Sequence, residues 1–119
     1  MKNQNKKELQ LPERYLQLLT QLKTGKENSI TVDKIISNTN GAFNRRDVFA
    51  IKHDLIMRYG YPIGSSREGE HKGFYLIKND NELVDTVRPL QNEAQTMFNL
   101  SKKLIENYQN TDNGEENVG

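Results

Sequence analysis

Asn44-Arg45-Arg46-Asp47-Val48-Phe49-Ala50-Ile51-Lys52-His53-Asp54-Leu55-Ile56-Met57-Arg58-Tyr59-Gly60-Tyr61-Pro62-Ile63 is the stretch of sequence that decides the fold. Asn44 and Asp47, three residues apart, have the form of a capping box with Asp in the usual Glu place, opening a helix that runs to Tyr59. Val48, Ile51, Leu55 and Tyr59 recur on one face and supply its inner side. Gly60 suits the position just past the helix, where left-handed backbone is needed, and Pro62 has no N–H with which to continue it. Ile63 to Ser66 and Gly73 to Ile77 then read as two short strands, joined by Arg67 to Lys72 in a hairpin with a polar tip.

Upstream, Tyr15, Leu18, Leu19 and Leu22 fall at i, i+3, i+4 and i+7, one face of an amphipathic helix with Pro12 in its first turn. Gly25 and Lys26-Glu27-Asn28 are expected to end it, and Ser29-Ile30-Thr31 has room only for a very short strand. Thr31 offers an N-cap to a short helix over Val32 to Asn38, with Val32, Ile35 and Ile36 inward. Asn40-Gly41 closes it in a tight turn. The expected order is helix, short strand, helix, turn, helix, hairpin, over residues 12–78.

Downstream, Asn79 and Glu82 form a second candidate capping box, and the pattern stays helical to about Gln109. Leu83, Val87, Leu90, Ala94, Met97, Ser101, Leu104 and Tyr108 are spaced alternately by four and three residues, a heptad-like seam. Pro89 falls inside it, so a kink or a split is expected there. Residues 1–11 are expected to be a flexible basic leader and 110–119 a disordered acidic tail.

Composition narrows the function. A 119-residue chain with 34% hydrophobic residues and mean hydropathy −0.88 has material for one modest core and little for a buried catalytic cleft. There is no glycine-rich phosphate loop and no nucleophile with a plausible base, so the reading is non-enzymatic. No apolar run approaches the roughly 20 residues needed to span a bilayer, and the first residues lack the apolar segment of a secretion signal. A cytoplasmic location without membrane association is expected, and the absence of Cys fits a reducing compartment. His53 and His71 have no His or Cys at ligand spacing, so no metal or other cofactor is expected. The net charge of +1 hides an asymmetry: residues 1–12 carry +2, residues 13–78 carry +4 and residues 79–119 carry −5. A basic body with an acidic tail suits an anionic partner on the body, although so small an imbalance is common in proteins without one.

Asn44 to Leu76 resembles the winged helix-turn-helix domain of the biotin-repressor and deoxyribose-operon-repressor type. Asn44-Arg45-Arg46-Asp47-Val48 is similar to the start of that family's recognition helix, Gly60-Tyr61-Pro62-Ile63 to its exit into the wing, and Gly73-Phe74-Tyr75-Leu76 to the closing strand. The likeness covers roughly half the chain, and comparable small domains with a trailing helix occur in phages and mobile elements of Gram-positive bacteria. It implies a mainly α fold with a small β-hairpin wing and a long C-terminal helix, and double-stranded DNA as partner. The third helix would then enter the major groove and the wing would touch the backbone. At 100° per residue, Arg46, Ala50, His53 and Met57 face away from Val48 and Leu55, with Arg45 at the N-terminal edge.

The DNA-contacting set implied by this reading is Asn44, Arg45, Arg46, Ala50 and His53 on the helix, with Arg67 and Lys72 on the wing. The bland alternative makes the two arginines a solvated helix start and the wing an idle loop. Lys52 falls within the inner arc, where an apolar residue is more usual. Phe49 and Ile56, one heptad apart on a flank, either complete the core or form a protein-binding patch. The seam of Leu83, Val87, Leu90, Ala94, Met97, Leu104 and Tyr108 implies a homodimer, with folding back onto Tyr15, Leu18 and Leu22 as the alternative. Two functions follow: a dimeric DNA-binding regulator or replication or recombination accessory, or a winged helix that binds a host or phage protein.

Overall fold

A computed structural model of the chain describes residues 10–67 and 72–111. Most of the leader, most of the acidic tail and the hairpin tip with His71 lie outside the described residues. The elements in chain order are α1 (Glu13–Leu19), a 3₁₀ turn (Lys26–Asn28), α2 (Val32–Asn38), α3 (Arg45–Met57), β1 (Ile63–Ser66), β2 (Gly73–Leu76) and α4 (Asp80–Asn110). The protein is mainly helical, with a two-stranded antiparallel hairpin and a long C-terminal helix. Among the described residues, no helix is long and apolar enough to cross a membrane.

Local chemistry sets most of these boundaries. Thr31 Oγ1 accepts the Lys34 N–H at 3.1 Å and starts α2. Asn44 Oδ1 accepts the Asp47 N–H at 2.8 Å while Asp47 Oδ2 accepts the Asn44 N–H at 3.0 Å, completing the reciprocal cap of α3. Asn40 and Gly41 both take positive φ, 55° and 86°, and turn the chain between α2 and α3. Gly60, at φ 77°, does the same after α3.

Contacts divide the chain into two units, Met1–Thr86 and Val87–Gly119. The first is built around Leu18, Leu22, Ile35, Phe43, Val48, Ile51, Leu55, Ile63 and Phe74, all buried. Each such side chain contributes about 1.5–3 kcal/mol on leaving water. α1 is clasped to α3 by the Tyr15 hydroxyl, which donates to Asp54 Oδ2 at 2.5 Å, and by the edge-on rings of Tyr15 and Tyr59. Tyr75 is wholly buried, with its ring against Gly64; a Cβ added there would lie 2.6 Å from the ring.

Four features depart from expectation. α1 ends at Leu19 instead of running to Gly25, because Lys23 to Gly25 extends to pair with β2. Leu76 N–H donates to Lys23 O and Gly25 N–H donates to Leu76 O, both at 2.8 Å, and Ile30 and Phe74 exchange a further pair. This loop thus supplies β2 with a broken third strand opposite β1. Leu22 is buried all the same, through a turn past the helix end. Second, Asn79 Oδ1 does cap the Glu82 N–H at 2.9 Å, but Glu82 does not return the bond to Asn79. Its carboxylate accepts Lys78 N–H on one oxygen and Lys26 N–H on the other, each at 2.9 Å, so it ties the start of α4 to the 3₁₀ turn. Third, Pro89 does not split α4, which is unbroken from Asp80 to Asn110. Proline there removes one N–H from the ladder and sits exposed, where water can serve the carbonyl left without its donor. Fourth, Phe49 and Ile56 do not complete the core: they are 41% and 38% exposed.

Candidate functional site

The capping box fixes the first turn of α3 and with it the direction of Arg45 and Arg46, both exposed. Asn44 spends its side-chain oxygen on the cap, which leaves its amide nitrogen as the remaining donor. The Asn44 N–H, and after it the nearby Arg14 guanidinium, hold the Asp47 carboxyl below its usual value, so the cap stays charged. Ala50 and His53 are exposed along the same helix, as is Met57 at 68%. The outward face expected from the helical projection is therefore solvent-facing over three turns.

Arg45 leans toward α2, where its guanidinium meets Asp33 at 3.3 Å and lies 5.7 Å from the centre of the Phe49 ring. Phe49 in turn meets Phe74 of β2 edge-on, with centroids 5.8 Å apart. Between α3 and the hairpin a cleft of about 400 Å³ opens, and Arg45, Lys52, Arg67 and Lys72 all line it. Asp33 is the one acidic residue among its described lining residues. Four of the implied contact residues stand apart from this cleft on the α3 face (Asn44, Arg46, Ala50 and His53), while Arg45, Arg67 and Lys72 are brought together in it.

Lys52 is the functional candidate that sequence reasoning left without a role. The signal was its place in the inner arc of α3, and the structure explains it: the ammonium sits 4.6 Å from the Phe74 ring centre and 5.5 Å from that of Phe49. Lys52 is half-buried and is among the residues that line the cleft.

The residues of the seam are placed along one helix. Leu83, Leu90, Met97, Leu104 and Tyr108 are 46–72% exposed, Ala94 is exposed and Val87 is half-buried. Phe98 and Ile105, each one residue beyond a seam position, are exposed as well and widen the apolar stripe. The first turns of α4 are otherwise engaged: Thr86 Oγ1 accepts the Ser65 N–H at 3.1 Å, and Lys26 pairs with Asp85 at 3.4 Å.

No protein-family model, curated protein or solved structure matches the chain.

Proposed function

We propose that this chain is a double-stranded-DNA-binding protein of the winged helix-turn-helix type, with α3 as recognition helix and the β1–β2 hairpin as wing. The observation that carries the reading is the convergence of cations from both elements: Arg45 and Lys52 from α3, Arg67 and Lys72 from the hairpin, on one cleft. Phosphates positioned there would leave Arg46, Ala50 and His53 on the exposed α3 face to meet base edges. The protein acts by binding, without catalysis. The resemblance extends the role to a regulator or a replication or recombination accessory of a phage or mobile element, working in the cytoplasm.

α4 is proposed to pair two copies of the chain. Its seam repeats every seven residues, so the same stripe on a second copy is self-complementary under two-fold symmetry, and two recognition helices would meet a palindromic site.

A second reading has its own observation. Phe49, Ile56 and Met57 are exposed together on α3 and would serve a protein partner. Salt separates the two. Binding to a random duplex of about 20 base pairs, followed by fluorescence anisotropy, should weaken steeply between 50 and 200 mM salt, by about tenfold or more for a few phosphate contacts. Replacing Arg45 and Arg46 together with Ala should weaken it at least tenfold. Affinity that is flat in salt and indifferent to both arginines would remove the DNA reading in favour of the protein partner.

A further inference from the structure

The seam of α4 alternates in side-chain size as well as in spacing. Val87, Ala94 and Ser101 hold one of its two heptad positions and Leu90, Met97 and Leu104 the other, so shorter side chains stand at the first and longer ones at the second. Two copies laid parallel would set like against like: Ala94 facing Ala94 and Ser101 facing Ser101 make thin layers, with voids between the thick layers of leucine and methionine. Two copies laid antiparallel about a two-fold axis between Gln95 and Thr96 set short against long, Ala94 against Met97, Ser101 against Leu90 and Val87 against Leu104. One register satisfies all three pairs, and the outermost seam residues, Leu83 and Tyr108, continue it. Ser101 suits such a layer, because its hydroxyl donates to the Phe98 carbonyl oxygen of its own helix at 2.8 Å and brings no unpaired donor to Leu90. The large apolar side chains from Leu90 to Tyr108 are each 57–72% exposed, and together they leave about 800 Å² in water, the area that each partner buries in an interface of standard size.

We infer that α4 pairs with a second copy of itself in antiparallel orientation, in the one register that sets every short seam residue against a long one. The inference rests on the proposed pairing of α4 and deepens it by fixing the direction of the partner. At 1.5 Å per residue the two Val87 positions, where the second unit begins, then lie about 25 Å apart along the pair, whereas parallel helices would bring them within about 10 Å of each other. The antiparallel pair holds these two points apart instead of abreast.

The chain has no cysteine, so introduced ones report on the pairing directly. Ser101→Cys alone and Leu90→Cys alone should form no disulfide between copies under mild oxidation, because each position lies about 16 Å from its counterpart in the antiparallel register, beyond the roughly 7 Å that a disulfide spans. The two variants mixed before oxidation should form a disulfide that joins one of each, identified by mass. Leu90→Cys thins the seam, so a second measurement leaves the seam intact: a spin label on Glu106→Cys, an exposed position on the opposite side of α4 from Met97. The distance between labels in the full-length dimer should be about 35 Å for the antiparallel pair and about 20 Å for a parallel one. A label distance near 20 Å, or a disulfide in Ser101→Cys alone, would overturn the antiparallel register and leave the homodimer standing. A wild-type chain that sediments at 13.8 kDa would overturn both and hand the stripe to a different partner.

Discussion

Replacing Glu82 with Ala should unfasten the first unit at a point the helix itself does not need. Glu82 is 7% exposed, and its two carboxylate oxygens each accept a backbone N–H at 2.9 Å, one from Lys78 just before α4 and one from Lys26 at the 3₁₀ turn. A hydrogen bond to an ionised acceptor contributes about 1.5–3 kcal/mol, and both donors are only part-buried, so the lower figure applies to each. Two such bonds give about 3 kcal/mol, reduced to roughly 2–3 by relief of the cost of burying the carboxylate. Ala is a better helix former than Glu, so helix propensity works against the loss and cannot be its cause. Glu82→Gln retains one acceptor oxygen and turns an amide N–H₂ toward the other donor, which predicts about half the loss or somewhat more. Urea unfolding followed by near-ultraviolet circular dichroism, which reports the buried Tyr75, reads the effect. With a slope of about 1 kcal/mol per molar for a unit this small, the midpoint should fall by about 2–3 M for Ala. Amide exchange at Lys26 and Lys78 should quicken in both variants. A midpoint within about 0.5 M of wild type, with exchange at those amides unchanged, would refute the bridging role given to Glu82.

Other substitutions probe other joints. Gly73→Ala should cost more than about 3 kcal/mol or prevent folding, because φ is +117° and the new Cβ would lie 2.1 Å from the Ile30 carbonyl oxygen; a thermal melt within a few degrees of wild type would contradict this. Met97→Gln should shift the protein toward monomer by setting a polar group in the middle of the α4 stripe, with the melt of the first unit unchanged. Sedimentation checks it: wild type should give twice 13.8 kDa at tens of micromolar, and a wild-type monomer would end the homodimer proposal. Asp47 supplies the pH dependence. Its folded-state carboxyl titrates lower than in the unfolded chain, chiefly through the Asn44 N–H, so its contribution is present above the ordinary Asp value and is lost as pH falls through the lowered one. Asp47→Asn should flatten that acid limb of the stability curve, and an identical pH profile for the variant would show that the cap carries no charge dependence.

What the sequence determined by itself is what short-range chemistry controls. The caps at Thr31 and Asn44, the positive-φ turns at Asn40-Gly41 and Gly60, the inner face of α3 and the two strands each depend on residues within a turn or so of one another. Such rules hold whatever the rest of the chain does. The exposed face of α3 was legible for the same reason, since a helix projects its residues at a fixed angle. Tertiary structure decided the rest. α1 stops at Leu19 because β2 has a free edge for Lys23 to Ile30 to pair with, and no pattern within α1 announces a strand some 50 residues away. Glu82 looked like half of a local cap, yet one of its oxygens reaches Lys26, 56 positions earlier, because a buried carboxylate takes whichever orphan N–H the fold brings to it. Lys52 could be seen as a misfit on the inner arc of α3, but the two rings its ammonium lies against come from α3 and β2, a juxtaposition that exists only once the hairpin lies against the helix.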